Sequence, residues 1–353
     1  MKTILIINKQ QFGYLTDVVK WAETIRHSYK VKVICFDVGY KRINVDGVDV
    51  TYVPYSRFFV LNAILFYLFC VINIMRTDGV IVEYFSGCSL LKKIFRKRIM
   101  LLDVRTLSVS EDSLSRSSYN RKLLETCRLY DHITVISQGV YDDLKSINIP
   151  IDILPLGADQ ISEVPKSFDR ISLLYVGTLS GREIHKTIYG FSEFCQKHPS
   201  DDVMYHIVGE GNTLKERELL NKLINELNLS DKIILYGRVP YDELKPFFDK
   251  SNVGVSFVPM TAYYDNQPAT KTYEYAMSGL FTIATSTREN KKVINQENGI
   301  LIDDTPEDFC KALESICAKH LDISDEAIRN SVSDYKWPIL IQNHLLPIIN
   351  SIY

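Results

Sequence analysis

The sequence has no paired-cysteine signature: its seven cysteines (35, 70, 88, 127, 195, 310 and 317) are scattered, with no Cys-x-x-Cys among them. That argues against a disulfide-framed module and a thiolate zinc site, and for reduced thiols in a cytoplasmic setting. Export signals are lacking too. The opening apolar run, Met1–Ile7, is too short for a signal peptide and reads as a first strand. Low-complexity tracts and short-period repeats are absent, which excludes disordered and solenoid classes. None of the seven histidines joins a convincing metal or triad set. An excess of one charge is also missing, since the formal net charge is −2, yet the charge is unevenly spread. Residues 1–159 carry +5 and the remainder −7. A basic first half suggests contact with an anionic surface. Nucleic acid is not the expected partner, because the basic residues are not interleaved with aromatics as stacking platforms need.

A chain of 353 residues exceeds the usual size of one core, so two domains are expected. Short β-branched runs alternate with longer amphipathic segments, which predicts parallel sheets with crossover helices. The first set of strands is Thr3–Ile7, Val31–Phe36, Val48–Val53, Gly79–Glu83, Ile99–Asp103, Ile133–Ile136 and Ile151–Leu154. Helices are expected between them at Tyr14–His27, Phe58–Met75, Tyr119–Leu129 and Gln138–Ile147. A Gly/Pro-punctuated break from Pro155 to Pro165 reads as a linker. The pattern restarts with strands at Ser172–Val176, Met204–Val208, Lys232–Tyr236, Val253–Phe257 and Leu280–Ala284. Its helices are expected near Ile184–Lys197, Leu214–Leu227, Tyr241–Lys250, Thr270–Met277, Pro306–Lys319 and Asp325–Val332. The fold class is therefore α/β, with two Rossmann-like domains.

The sharpest constellation lies in the second half. Gly177-Thr178-Leu179-Ser180-Gly181-Arg182 follows a strand, and Lys186 stands at the start of the next helix. Glycines permit a tight loop, a helix N-terminus attracts anions, and Arg182 with Lys186 would match a diphosphate. A solvated basic helix start explains the same spacing. Val208-Gly209-Glu210-Gly211 is only a partial dinucleotide fingerprint, with Leu214 at the third glycine position. Gly237-Arg238-Val239 ends another strand, where its backbone could edge a nucleotide base. Asn266-Gln267-Pro268-Ala269-Thr270-Lys271 then opens a helix whose amides at Ala269–Lys271 would face the same site. Glu274 sits one turn in, where a carboxylate can accept two hydrogen bonds from a ribose diol. A capping box with Thr270 is the competing role for Glu274.

Together these segments resemble the retaining glycosyltransferases of family four, which have the GT-B fold. The resemblance spans nearly the whole chain. It includes Leu154–Asp159, Thr134–Ser137, Val208–Gly211, Glu274–Gly279 and Asn298–Ile302, and the ending Tyr335-Lys336-Trp337 with Leu345, Leu346 and Ile348. It implies an acceptor-binding domain over 1–158, a donor-binding domain over 159–336, and a helix over 337–353 returning to the first domain across from a cleft. By the same resemblance Arg182 and Lys186 bind the donor diphosphate, Glu274 the ribose, and Gly237, Arg238 and Val239 the base. Gly209, Asn266, Ala269, Thr270 and Lys271 complete the donor site, and Gly13 approaches the transferred sugar. Asp103 is the candidate to orient the acceptor hydroxyl.

Three positions depart from the family pattern. Asn266 replaces a glutamate, Thr178 replaces an arginine for which Arg182 is a displaced substitute, and Arg105 stands for a histidine. The Asp-x-Asp triplet of metal-dependent relatives is absent, so no metal or cofactor is expected beyond the UDP- or GDP-linked sugar. Transfer with retention to a glycan or lipid-linked acceptor, in bacterial surface polysaccharide (capsule or O-antigen) synthesis, is the implied activity. Two other readings use the same residues: a sugar-nucleotide 2-epimerase-like enzyme, and a non-catalytic nucleotide-sugar-binding partner of another transferase. The charge-free run Phe58–Met75, with Lys92-Lys93-Ile94-Phe95-Arg96-Lys97-Arg98 nearby, predicts peripheral binding to the inner face of the cell membrane. A buried crossover helix is the alternative for that run.

Overall fold

The computed structural model describes residues 1–353, apart from the side chain of Leu321. They form two compact units, one of residues 1–157 with 337–353 and one of residues 158–336.

In the first unit, β1 (Thr3–Ile7), β2 (Lys30–Asp37), β3 (Val48–Pro54), β4 (Gly79–Glu83), β5 (Leu101–Val104), β6 (His132–Val135) and β7 (Ile151–Ile153) form one sheet. Its order is β3-β2-β1-β4-β5-β6-β7, with every pair parallel. Continuous Ile/Val/Leu runs suit strands covered on both faces, and Ile4 to Ile7 have no exposed surface. The strand order reverses at β1 and β4, the place where loops of an open α/β sheet leave a crevice.

The helix Phe59–Ile74 buries Asn62, Phe66, Cys70 and Ile74 at four-residue spacing. Phe59, Val60, Ile64 and Leu68 remain exposed. Asn62 is buried because it serves as a local clamp: its Oδ1 accepts from Ser56 N at 2.8 Å and its Nδ2 donates to Ser56 O at 2.6 Å. The helix expected at Tyr119 begins earlier, at Ser113, because Asp112 caps it by accepting from Ser115 N at 2.8 Å. The last residues run through a helical turn Trp337–Leu340, a π-helical turn Ile341–Leu345 and a helix Leu346–Ile352. At their end the Tyr353 hydroxyl donates to Val80 O at 2.6 Å and accepts from Leu101 N at 3.2 Å. It thereby bridges β4 and β5.

The second unit holds β8 (Ile171–Val176), β9 (Val203–Val208), β10 (Ile233–Gly237), β11 (Val253–Ser256), β12 (Phe281–Thr285) and β13 (Gly299–Ile302). The sheet order is β10-β9-β8-β11-β12-β13, again all parallel. Its reversal point lies between β8 and β11, so the loops leaving those two strands are the ones placed to hold a ligand. β13 is short, and only the resemblance pointed to it. The helix expected over Tyr241–Lys250 divides into a turn, Tyr241–Glu243, and a helix, Lys245–Lys250 with proline in its first turn.

Candidate functional site

Three loops of the second unit are laced together at the carboxyl ends of their strands. Gly177 N donates to Val208 O at 3.0 Å, Gly209 N to Gly237 O at 2.8 Å, and Leu179 N to Glu210 O at 3.1 Å. Gly209, at φ 154°, has no room for a side chain: a Cβ there would sit 1.7 Å from the Gly177 carbonyl oxygen.

Two cations flank the loop at Gly177, each held against an aromatic face. The Arg182 guanidinium carbon lies 4.4 Å from the Tyr264 ring centroid, and Lys271 Nζ lies 3.9 Å from that of Tyr175. The Lys271 amine is also 3.8 Å from where a side chain on Gly177 would begin. Among the described residues neither cation forms an ion pair with a carboxylate. Burial and then the positive charge of Arg182 hold the Lys271 amine well below the ordinary lysine range. Two cations crowded together without counter-charge make a site that an anion with two charged groups would stabilise.

Lys186, expected to be the second of these cations, is placed otherwise. Its Nζ is 2.7 Å from Glu183 Oε2 and 3.6 Å from Asp304 Oδ2. Those carboxylates already neutralise it, the Glu183 hydrogen bond first among the effects raising its pKa. Lys271 is expected from the sequence to act through its backbone amide; its side chain, brought to Tyr175 by the fold, is what spacing does not reveal.

The helix Thr270–Met277 starts at Ala269 without a side-chain cap. Its first amides are therefore not answered by a capping side chain. Glu274 does not form a capping box. It is 7% exposed, and its Oε1 accepts from the Tyr241 hydroxyl at 3.0 Å. Asn266 ends the short helix Ala262–Asp265 that carries Tyr264. On the neighbouring loop Gly237 has φ 74°, Arg238 is exposed, and Val239 packs against the cluster of Leu174, Val208, Leu244, Phe248, Tyr275 and Leu280. The second unit thus gathers Gly209, Gly237, Arg182, Lys271 and Glu274 around the ends of β8 to β11.

The first unit holds the other expected residues. Gly13 is exposed at φ 97°, in the loop between β1 and the helix Thr16–Ile25. Arg105 is drawn inward: it pairs with Asp17 at 2.6 Å, lies 3.8 Å from Asp103, donates to Leu154 O at 2.9 Å and covers the Trp21 ring. Asp103 has no exposed surface, because β5 is a central strand covered on both faces. Its Oδ1 accepts from Thr134 Oγ1 at 2.6 Å. Its Oδ2 has no hydrogen-bond partner but is buried with Arg105 Nε 3.8 Å away, so in this structure the carboxylate is enclosed and not open to an acceptor hydroxyl. Burial pushes Asp103 up to about 6, against the pull of Arg105 and Thr134.

Glu83, which the sequence analysis did not single out, ends β4 beside this cluster. Its Oε2 is buried without a hydrogen-bond partner. Burial first, then the charges of Asp103 and Asp17, push it up to about 8. A carboxyl raised in the folded state binds a proton that the unfolded chain has released, so its stabilising effect is lost as pH rises through the folded value. Thermal unfolding is therefore expected at a lower temperature at pH 9 than at pH 6. The Glu83 contribution should be at least about 1 kcal/mol, or about 2–4 °C. Glu83→Gln should flatten that difference; an unchanged profile would show that the carboxyl does not titrate there.

Comparison with known proteins adds to this picture. Residues 170–319, within the second unit, match the family model for glycosyl transferases group 1. No curated protein matches the sequence significantly. Among solved structures, the chain is similar to sucrose-phosphate synthase from Thermosynechococcus elongatus, at 15% identity and a TM-score of 0.77, covering 99% of each chain. It is similar to HepE from Anabaena in complex with UDP and glucose, at 12% identity and TM-score 0.76, covering 99% of this chain and 100% of that one. WaaG, a glycosyltransferase involved in lipopolysaccharide biosynthesis, matches at 13% identity and TM-score 0.70, over 96% and 98%. The fold these comparisons share is GT-B. With the family match falling on the unit that holds the paired cations, the protein is a glycosyltransferase with the GT-B fold.

Proposed function

We propose that the protein moves a hexosyl unit from a UDP- or GDP-linked sugar to an acceptor hydroxyl, with retention of configuration and without a metal ion. The observation that carries this reading is the pair Arg182, on the loop after β8, and Lys271, in the first turn of the helix Thr270–Met277, two cations without carboxylate partners among the described residues. HepE, which shares the fold, is described in complex with UDP. As the sugar–phosphate bond breaks, its electron pair passes to the β-phosphate oxygen, and the two cations stabilise the growing charge. The acceptor oxygen bonds to the anomeric carbon from the same face, and its proton passes to the departing diphosphate. Glu274, held by Tyr241, takes the ribose diol, and the Gly237–Val239 loop lies against the base.

Glu274→Ala tests the donor half. Losing a charged acceptor for two hydroxyls should weaken UDP binding about ten- to a hundredfold. Normal affinity in the variant, measured by calorimetry, would remove Glu274 from the site. Proton NMR of the first-formed glycosidic bond reads the stereochemistry, and an inverted anomer would overturn retention.

The acceptor is proposed to be lipid-linked, a surface-polysaccharide intermediate met at the inner face of the membrane. No helix among the described residues is long and apolar enough to cross a membrane. The outer face of Phe59–Ile74 is nevertheless apolar and exposed, and Lys93, Arg96 and Lys97 are exposed nearby in sequence. Lys92 is not available, being buried against Asp131 at 2.7 Å. Three cations near anionic headgroups contribute about 3 kcal/mol together, roughly a hundredfold in affinity. Co-sedimentation with phosphatidylglycerol vesicles should therefore exceed that with neutral vesicles and fade in high salt. Equal recovery from both would contradict peripheral binding.

A further inference from the structure

The first unit carries a pocket of about 460 Å³ that the expected site residues leave unused. It lies between the loop after β4 (Tyr84 and Ser86) and one face of the helix Ser113–Cys127, where Ser115, Ser118, Tyr119 and Lys122 line it. These four recur at helical spacing, so the face is continuous. The volume falls within the range of small-ligand sites. Rings and hydroxyls alternate in the lining: Tyr84 and Tyr119 meet edge to face, 5.8 Å between centroids. That combination suits the apolar ring faces and the hydroxyl rim of a pyranose. Lys122 is exposed and, among the described residues, has no carboxylate in ion-pair contact. Immediately before Tyr84 comes Glu83, whose buried Oε2 lacks a partner.

The loop that carries Ser86 is anchored on the apolar helix. The Tyr67 hydroxyl, on Phe59–Ile74, donates to Gly87 O at 2.9 Å, one residue beyond Ser86. Phe66 of the same helix meets Phe85 edge to face at 5.7 Å. The segment Phe85–Gly87, which brings Ser86 to the pocket, is thus packed on the helix that exposes Phe59, Val60, Ile64 and Leu68 to solvent.

We propose that this pocket binds a glycosyl phosphate, its sugar against Tyr84 and Tyr119 and its phosphate at Lys122, with a lipid chain leaving along the helix Phe59–Ile74. The inference rests on the proposed transfer only in taking this ligand to be the acceptor. Its test needs no donor. Calorimetry on the whole protein compares glucose 1-phosphate, its decyl phosphodiester and neutral decyl glucoside, with the N-acetylglucosamine series run in parallel. In at least one series the phosphodiester should bind about tenfold tighter than the neutral glycoside. Lys122→Ala should abolish that preference and Lys122→Arg should keep it; the position is exposed, so neither threatens the fold. Glucose 1-phosphate should bind more weakly than its decyl ester but with the same dependence on Lys122. Equal binding of charged and neutral glycosides in both series, or a preference surviving Lys122→Ala, would overturn the pocket. Free sugar phosphate binding as tightly as its decyl ester would overturn the lipid-linked source. Because UDP is absent throughout, failure here leaves the donor site standing, and failure of UDP to bind leaves this result readable.

Discussion

Lys271→Ala and Arg182→Ala are each expected to lower donor turnover about a hundred- to a thousandfold, while Lys186→Ala stays within about threefold. Removing one preordered charge or donor from a developing oxyanion carries a penalty of that size, because its effect is greatest in the transition state. Affinity for bare nucleoside should change little, since a nucleoside carries no phosphate for either cation to stabilise. Lys186 differs because Glu183 and Asp304 already hold it. A chelator should leave wild-type turnover unchanged if Arg182 and Lys271 do the stabilising. The amine also supplies a pH signature. Arg182 and burial depress Lys271 in the free protein, and a bound diphosphate reverses the effect of Arg182. Donor binding should therefore take up a proton, and affinity should fall as pH rises above the depressed value. Calorimetry in buffers of different ionisation enthalpy measures that uptake directly. A large loss from Lys186→Ala, with none from Lys271→Ala, would return the diphosphate to the helix start.

Gly209→Ala should be the most disruptive single methyl group in the second unit. Its Cβ would fall 1.7 Å from a backbone oxygen, and that oxygen belongs to Gly177, whose own amide is bonded to Val208 O at 3.0 Å. Nothing in that arrangement is the free end of a side chain, so β8 and β9 must move apart. Destabilisation of more than about 3 kcal/mol is expected, with donor binding lost even where the variant folds. Gly39→Ala is the control: it shares a positive φ, 90°, but has no neighbour within 4 Å. Its cost should be limited to backbone strain of about 1 kcal/mol. Similar melting curves for the two variants would show that the loops at Gly177 and Gly209 are not locked together.

The alternation of short apolar strands and longer helices was legible in the sequence because a parallel sheet buries whole runs, and the glycines of the donor loops were legible by position. The pairing of cations was not. Spacing shows which residues share a turn, but Tyr175 stands on β8 and Lys271 on the helix Thr270–Met277, and Lys186 and Asp304 are likewise far apart in sequence. Asp103 was expected at a strand end to orient an acceptor hydroxyl, and its burial depends on Thr134 of β6 and on Arg105. The helix Phe59–Ile74 failed differently. Where every residue is apolar, periodicity cannot say which stripe is inside, and the buried one includes the only strongly polar residue of its first turns, Asn62. The start of Ser113–Cys127 was hidden for the opposite reason: its first turns are serine-rich, and only the Asp112 cap marks where it begins. The proposed acceptor pocket lies on those turns.

The seating of Tyr353 between β4 and β5 bears on the order in which the protein is made. Residues 158–336 leave the ribosome before 337–353, yet the first unit includes that last segment. The second unit can close during synthesis, whereas the first, although it begins earlier, waits for residues 337–353. Until then the places of Trp337 against Gly157 and of Tyr353 on β4 and β5 stay open in the nascent chain, and a ribosome stalled between residues 337 and 353 would hold a finished second unit while the first is still incomplete.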